Sequence, residues 1–469
     1  MPDKLILAEL TGFADRTEAV KELVNLLRRV HVEEMLLPVL LQLIVIILVA
    51  RLFARLARCV YQPGVVGEIV AGLVLGPSVF GALFPQAFAW LFHPGLPHVP
   101  HLLADQVLAS VFSTLSQLGL IFLLFLVGLE FDFSHLRWHG KAAFFISLAG
   151  IVLPFVLGLG LAEWIHPYLP QLPKLGFSLF LATALSITAL PILGRMMMEL
   201  QITRTRLGTI TISAAAVDDA GGWILLAAVA AIARADFRPG PIILMAAETM
   251  GFALLLVFLG RPIARWFASR LAERSDGEIT VNELAVLLAI VLLCALATNL
   301  IGIFAIFGAF LLGAVCSREA VLRDAIRRRM LDFITAFFLP IFFTYTGLRT
   351  DIGTLDSWML WGFCGLVCLA AIIGKLVGCM LAARWGGFNW RESFCIGTMM
   401  NTRALMALVV INIGRDLGVI SPSMFCMLVI MAVVTTLMTT PLLLLAMRGT
   451  ELEAYIRASG FLSEAGKNP

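Results

Sequence analysis

Runs of about twenty apolar residues, broken by short polar stretches, recur along the whole chain. Thirteen can be marked: 35–57, 63–83, 109–130, 140–165, 174–197, 206–233, 240–266, 281–300, 303–317, 330–349, 357–384, 391–415 and 421–447. A helix rises 1.5 Å per residue, so about twenty residues cross the ~30 Å hydrocarbon layer of a bilayer. Strands of a membrane barrel are about ten residues long and alternate apolar with polar, which these runs do not. The pattern predicts an all-α integral membrane protein with about 13 transmembrane helices. The connections are short, so 35–447 reads as one transmembrane domain, preceded by a segment 1–34 and followed by a short tail 448–469.

Composition agrees: 60% of the residues are hydrophobic, 14% are charged, and mean hydropathy is +0.96. The distribution of charge matters more than the net +3. Basic residues gather on the side of the membrane shared by the tail, with five Arg in REAVLRDAIRRRM (318–330) alone. By the positive-inside rule the C-terminus is cytoplasmic, and an odd number of spans puts the N-terminus outside. Segment 1–34 holds more acids than bases and has no apolar core of the secretory type. Its Val20, Leu23, Val24 and Leu27 share one helical face, which predicts an extracytoplasmic amphipathic helix on the membrane surface. None of the eight cysteines forms a CxxC, so they read as small core residues rather than a disulfide or metal framework. His135 and His139, by a cytoplasmic loop, read as solvated side chains, with pH sensing as the alternative.

The chain repeats itself. LIFLLFLVGLEFDFSHL (120–136) resembles LPIFFTYTGLRTDIGTL (339–355), with Gly128-Leu129 matching Gly347-Leu348, and AGLVLG (71–76) echoes GAFLLG (308–313). Seven spans separate the copies, so they face opposite ways, as in secondary transporters that work by alternating access. The repeat pairs the fourth to sixth spans with the eleventh to thirteenth.

Three charges lie deep inside spans. Asp218 and Asp219 sit together in TISAAAVDDAGGWILLAAVA (211–230), and Lys375 sits in GFCGLVCLAAIIGKLVGCMLAARWGG (362–387). One charge at the bilayer centre costs about 2.5–3.5 kcal/mol on insertion scales, so each calls for a partner or a function. Adjacent helical residues point about 100° apart, so the two carboxylates cannot do the same job. One can pair with Lys375; the other is left to hold a proton or, when ionised, a small cation. A purely structural triad is the plainer reading, but buried ion pairs rarely stabilise more than apolar replacements do, and the odd carboxylate stays unexplained. The repeat-mate fifth and twelfth spans are both interrupted, one by Ser186, Thr188 and Pro191, the other by Asn401, Thr402 and Arg403. Such interruptions free carbonyls and hydroxyls to line a cavity; singly, each hydroxyl could equally be ordinary glue between helices. Arg403 either sets the cavity's electrostatics or satisfies freed carbonyls. Glu68 either stands at the cytoplasmic mouth of the pathway as a gating residue or, as favoured here, caps a helix or binds Arg51, Arg55 or Arg58.

These residues carry a resemblance over roughly 36–447. QPGVVGEIVAGLVLGPS, FLVGLEFDF, the VDD motif, GAFLLG, GKLVG and NTRALMALVVINIGRDLGVIS resemble the second family of monovalent cation:proton antiporters, which includes NapA-type and Kef-type bacterial systems and the plant and fungal exchangers. The last stretch and VTTLMTTPLL (434–443) look most like the plant and fungal branch. The resemblance implies an inverted-repeat NhaA/NapA-like fold with broken crossing helices, a dimerisation domain, and a core of spans 4–6 and 11–13 that moves as an elevator. It also implies a homodimer, placed in the bacterial inner membrane among its lipids. Asp219 would bind Na+ or K+ and carry the proton, and Asp218 would pair with Lys375, a set that goes with electrogenic exchange. No cofactor is implied beyond the transported ions, and no nucleic acid. Ala404 stands where the family often has Gly. The nucleotide-binding domain of Kef-type systems is not expected in a 22-residue tail. The alternatives fare worse. A sodium-coupled organic-anion symporter does not need the lysine partner, an intramembrane enzyme would need an HExxH, a GxSxG or a Cys/His cluster that is missing, and a channel does not need inverted repeats.

Overall fold

A computed structural model describes residues 32–60, 62, 64–95, 101–130, 140–169, 171–203, 205–234, 239–273, 278–302 and 305–459. The helices are α1 (Val32–Cys59), α2 (Gly64–Leu75), α3 (Pro85–Phe92), α4 (His101–Glu130), α5 (Gly140–Ile165), α6 (Lys174–Ser186), α7 (Leu190–Glu199), α8 (Arg206–Arg234), α9 (Pro239–Leu255) and α10 (Arg261–Ala272). They continue as α11 (Val281–Ile301), α12 (Ala305–Cys316), α13 (Ala320–Phe333), α14 (Leu339–Leu348), α15 (Trp358–Ile372), α16 (Gly378–Trp385), α17 (Trp390–Met400), α18 (Ala404–Asp416), α19 (Pro422–Ala446) and α20 (Leu452–Ala458). The fold is all-α. The amphipathic helix expected in 1–34, and His135 and His139, lie outside the described residues.

Among the described residues nine helices are long and apolar enough to cross a membrane, and Val66–Gly81, Lys174–Ser186 and Ala305–Cys316 are shorter apolar helices. The thirteen apolar stretches are therefore not thirteen full-length rods. Several are cut by π-helical turns or by extended residues, for local reasons. Proline lacks the N–H that a helix needs, and Pro262 and Pro340 follow the π turns Leu256–Gly260 and Ile334–Phe338. Helices on the outside carry exposed Leu, Ile and Phe, for example Leu37, Leu48, Leu56, Phe258 and Leu300. That surface suits acyl chains, while backbone groups stay satisfied inside each helix.

Packing divides the helices into two neighbourhoods. In one, α5 lies against α6, α8 and α16, and α19 lies against α15 and α18. In the other, α4 lies against α12 and α14, and α2 against α1 and α14. The repeat motifs found in the sequence meet in this second group, each first-copy motif on a second-copy motif. A Cβ on Gly72 would stand 2.3 Å from the Thr344 carbonyl oxygen, and one on Gly347 would stand 2.6 Å from the Gly72 Cα. Likewise, a Cβ on Gly128 would stand 2.3 Å from the Phe310 oxygen, and one on Gly313 would stand 2.2 Å from the Phe125 oxygen. Real Cβ atoms cannot come this close. Only glycine lets these helix backbones touch, as small residues do at membrane helix crossings.

The described start of the tail is packed onto the bundle. Met447, Leu452 and Ile456 are buried in one cluster with Leu207 and Ile210 of α8. Glu451 accepts the Leu207 N–H at 2.6 Å, placing an anion on the positive end of the helix that carries the aspartate pair.

Candidate functional site

Two helices break inside the bundle and face each other. The chain leaves helix after Ser186, runs through Ile187, Thr188 and Ala189, and resumes helix at Leu190. Pro191, the second residue of α7, has no N–H to give to Ile187 and disfavours helical backbone before it. The mate of this break is Asn401–Arg403, between α17 and α18. No proline acts there; the Thr402 hydroxyl instead donates to the Met399 carbonyl at 3.0 Å and competes with the helix ladder. The breaks are tied together: Ala189 N–H donates to the Thr402 carbonyl at 2.9 Å, and the Thr188 hydroxyl donates to the Met400 carbonyl at 3.2 Å.

Asp218 and Lys375 meet beside this crossing, and both are fully buried. The Lys375 ammonium lies 2.9 Å from each Asp218 oxygen. It also donates to the carbonyls of Gly150 at 2.8 Å and of Ser186 at 2.5 Å. Asp218 Oδ2 further accepts the Thr188 N–H at 2.9 Å. Two local features make this reach possible. Lys375 sits in the π turn Ile373–Val377, where the ladder is widened. Gly150 has no side chain, and a Cβ there would stand 2.6 Å from Cys379 Sγ.

Asp219 is equally buried and far less engaged. Its Oδ2 accepts the Trp223 indole N–H at 3.3 Å, and the Leu190 backbone amide is directed at the same carboxylate from the positive end of α7. Oδ1 has no hydrogen-bond partner among the described residues. The Asn401 side chain, 1% exposed in the second break, has no partner among the described residues for either its oxygen or its nitrogen. Buried polar atoms are nearly always paired, so the Asp219 Oδ1 and the Asn401 amide stand out as candidate ion-binding groups.

The remaining sequence candidates fall as follows. The Ser186 hydroxyl turns back to the Ala182 carbonyl at 2.7 Å, so only its carbonyl faces the ion pair. Arg403, fully buried, donates to the carbonyls of Ala371 at 2.8 Å, of Ala184 at 3.2 Å and of Leu185. It stitches the C-terminal turns of α6 and α15 to the second break. Glu68 lies in the other neighbourhood: it is 4% exposed, 3.5 Å from Arg51, and its carbonyl accepts the Thr344 hydroxyl. Trp223 and Gly150 were not among the residues read from the sequence. Trp223 falls one turn after Asp219, a spacing that could have pointed to it; nothing in the sequence marks Gly150.

The chain resembles known transporters over most of its length. A family model described as "Sodium/hydrogen exchanger, transmembrane" matches residues 44–445. Cation/H(+) antiporter 17 of Arabidopsis thaliana is 40% identical over 412 residues, covering 87% of this chain and 48% of that protein. Na(+)/H(+) antiporter NhaS4 of Synechocystis sp. is 39% identical over 412 residues, covering 87% of this chain and 96% of that protein. K(+)/H(+) antiporter 1 of Saccharomyces cerevisiae is 30% identical over 410 residues, covering 86% of this chain and 46% of that protein. The chain thus spans about half the length of these plant and yeast relatives and nearly all of the cyanobacterial one. The solved structure of the sodium proton antiporter MjNhaP1 from Methanocaldococcus jannaschii at pH 8 matches with a TM-score of 0.59 at 16% identity, over 88% of this chain and 99% of that one, which shows a shared fold.

Proposed function

The chain belongs to the sodium/hydrogen exchanger family, and on that premise we propose that it is a secondary transporter exchanging a monovalent cation, Na+ or K+, for protons across the membrane. The two ions compete for Asp219. The observation that carries this reading is the inequality of the aspartates. Asp218 has both oxygens on Lys375, whereas the fully buried Asp219 has no hydrogen bond on Oδ1 among the described residues. A carboxylate cannot stay ionised and unpaired there, so it takes a proton or a cation. The names of the relatives given above, all antiporters, speak against the organic-anion symporter.

In this reading Asn401 and the carbonyls freed at the breaks complete the cation's ligands, and Thr188, Ser186 and Thr402 hold the breaks in register. Arg403 fixes the crossing and Lys375 neutralises Asp218. The full Asp-Asp-Lys set favours electrogenic exchange. A homodimer in the bacterial inner membrane, with the N-terminus outside and the C-terminus cytoplasmic, accords with the charge pattern and the family resemblance. Glu68 and Arg51 act as a structural pair.

The test is transport by purified protein in liposomes that enclose a pH-sensitive dye. Addition of sodium or potassium chloride to wild-type vesicles is expected to change the dye signal, and Asp219→Asn vesicles, with the protein folded, are expected to give none. A full signal from Asp219→Asn contradicts the assignment.

A further inference from the structure

Trp223 connects the open carboxylate to a helix outside its own neighbourhood. Its indole N–H reaches Asp219 Oδ2 at 3.3 Å, one turn back on α8. Its ring, in a side chain only 2% exposed, meets Phe307 edge-to-face at 5.3 Å and 85°, and lies tilted to Phe310 at 5.9 Å. Both phenylalanines belong to α12, which packs backbone to backbone against two other helices. A Cβ on its Gly308 would stand 2.0 Å from the Cys294 oxygen of α11, and one on its Gly313 would stand 2.2 Å from the Phe125 oxygen of α4. The indole is thus clamped between an ion-binding group and a fixed wall.

Resting on the antiport reading of Asp219, we infer that Trp223 is the positioning residue of the cation site: its N–H holds Oδ2 so that Oδ1 alone is presented to the cation, and Phe307 and Phe310 hold Trp223. The geometry has three consequences. The carboxylate is oriented before the ion arrives, which removes an ordering cost from binding. The donor supports the ionised form that the cation needs. Any sliding of α8 past α12 drags the indole off its two phenylalanines and loosens Asp219, so cation affinity depends on where α8 stands against α12.

Trp223→Phe keeps a ring against α12 and removes only the N–H; Phe307→Leu keeps the N–H and removes the edge-to-face contact. In full-length protein in liposomes, Trp223→Phe is expected to raise the KM for sodium, and for potassium measured in parallel, about tenfold. The effect should be larger on KM than on maximal rate. Phe307→Leu is expected to raise KM about threefold. Sodium titrated into the detergent-solubilised wild type should change tryptophan emission, and Trp223→Phe should lose that change although the other eight of the nine tryptophans remain. The inference is overturned if Trp223→Phe lowers the melting temperature or the maximal rate with KM unchanged, or if its emission still responds to sodium as the wild type does. Asp219→Asn separates the two levels: exchange retained there sinks the antiport reading itself, whatever Trp223 does.

Discussion

The backbone N–H of Ala189 donates to the Thr402 carbonyl oxygen at 2.9 Å, so the two helix breaks satisfy each other across the centre of the bundle. Non-helical backbone is tolerated at membrane depth only where it is buried in protein or lines a cavity. Lys375 serves the Ser186 carbonyl and Arg403 those of Ala184 and Leu185, so the carbonyls released at the first break find charged donors; Arg403 also serves Ala371 at the end of α15.

Lys375 should therefore matter to stability as well as transport. Lys375→Ala leaves Asp218 buried without its cation, a change that typically costs about 3–5 kcal/mol. The melting temperature in detergent should fall strongly, and the added change Asp218→Asn should recover part of the loss. A single variant that melts like the wild type removes the ion pair from the account.

Arg403 works through shape as much as charge. Its planar guanidinium reaches carbonyls on two different helices from two separate nitrogens, a fixed spread that a single ammonium nitrogen cannot copy. Arg403→Lys should lower the rate of exchange and the melting temperature, and Arg403→Ala should lower both further. An Arg403→Lys variant that behaves like the wild type would show that charge alone matters.

The glycine crossings make a sharp comparison. Gly347→Ala and Gly313→Ala push a methyl into a neighbouring backbone and should cost about 1–3 kcal/mol each. Gly362, where nothing stands within 4 Å of an added Cβ, serves as control. Thermal unfolding of the three variants side by side checks this; a Gly347→Ala as stable as Gly362→Ala contradicts the close approach.

The tail gives a pH prediction. The Glu453 carboxyl is held below its ordinary value of 4.5, first by the Gly449 N–H at 2.9 Å and then by Arg457 at 2.7 Å. A carboxyl with a depressed folded-state value stabilises fully above its unfolded value and loses that contribution as pH falls through the folded one. Melting temperature measured from neutral pH to below 4.5 should drop less in Glu453→Gln than in the wild type. Parallel curves remove Glu453 from the tail's anchoring.

The aspartate pair, Lys375 and the two breaks were legible in the sequence because charges and prolines stand out in apolar runs. The glycines Gly128 and Gly347 were legible as parts of repeated motifs, but not as the helix crossings they form. What was not legible depends on tertiary approach. The π turn under Lys375 has no marker residue. Which aspartate keeps an open oxygen is decided by where Thr188 and Trp223 point. The count of thirteen spans treats 174–197 and 391–415 as continuous, because apolar periodicity does not register a three-residue break. Glu68 could be read either way beside Arg51, Arg55 and Arg58; the structure sets it 3.5 Å from Arg51 and away from the crossing.

The central claim is that cation and proton exclude one another at Asp219. The most direct measurement is proton release when sodium or potassium chloride is added to purified protein in a weakly buffered detergent solution with a pH indicator, at a pH where the site is partly protonated. The account predicts release from the wild type that saturates with cation, and none from Asp219→Asn. Cation binding by the wild type with no proton released, or the same release from Asp219→Asn, would contradict it.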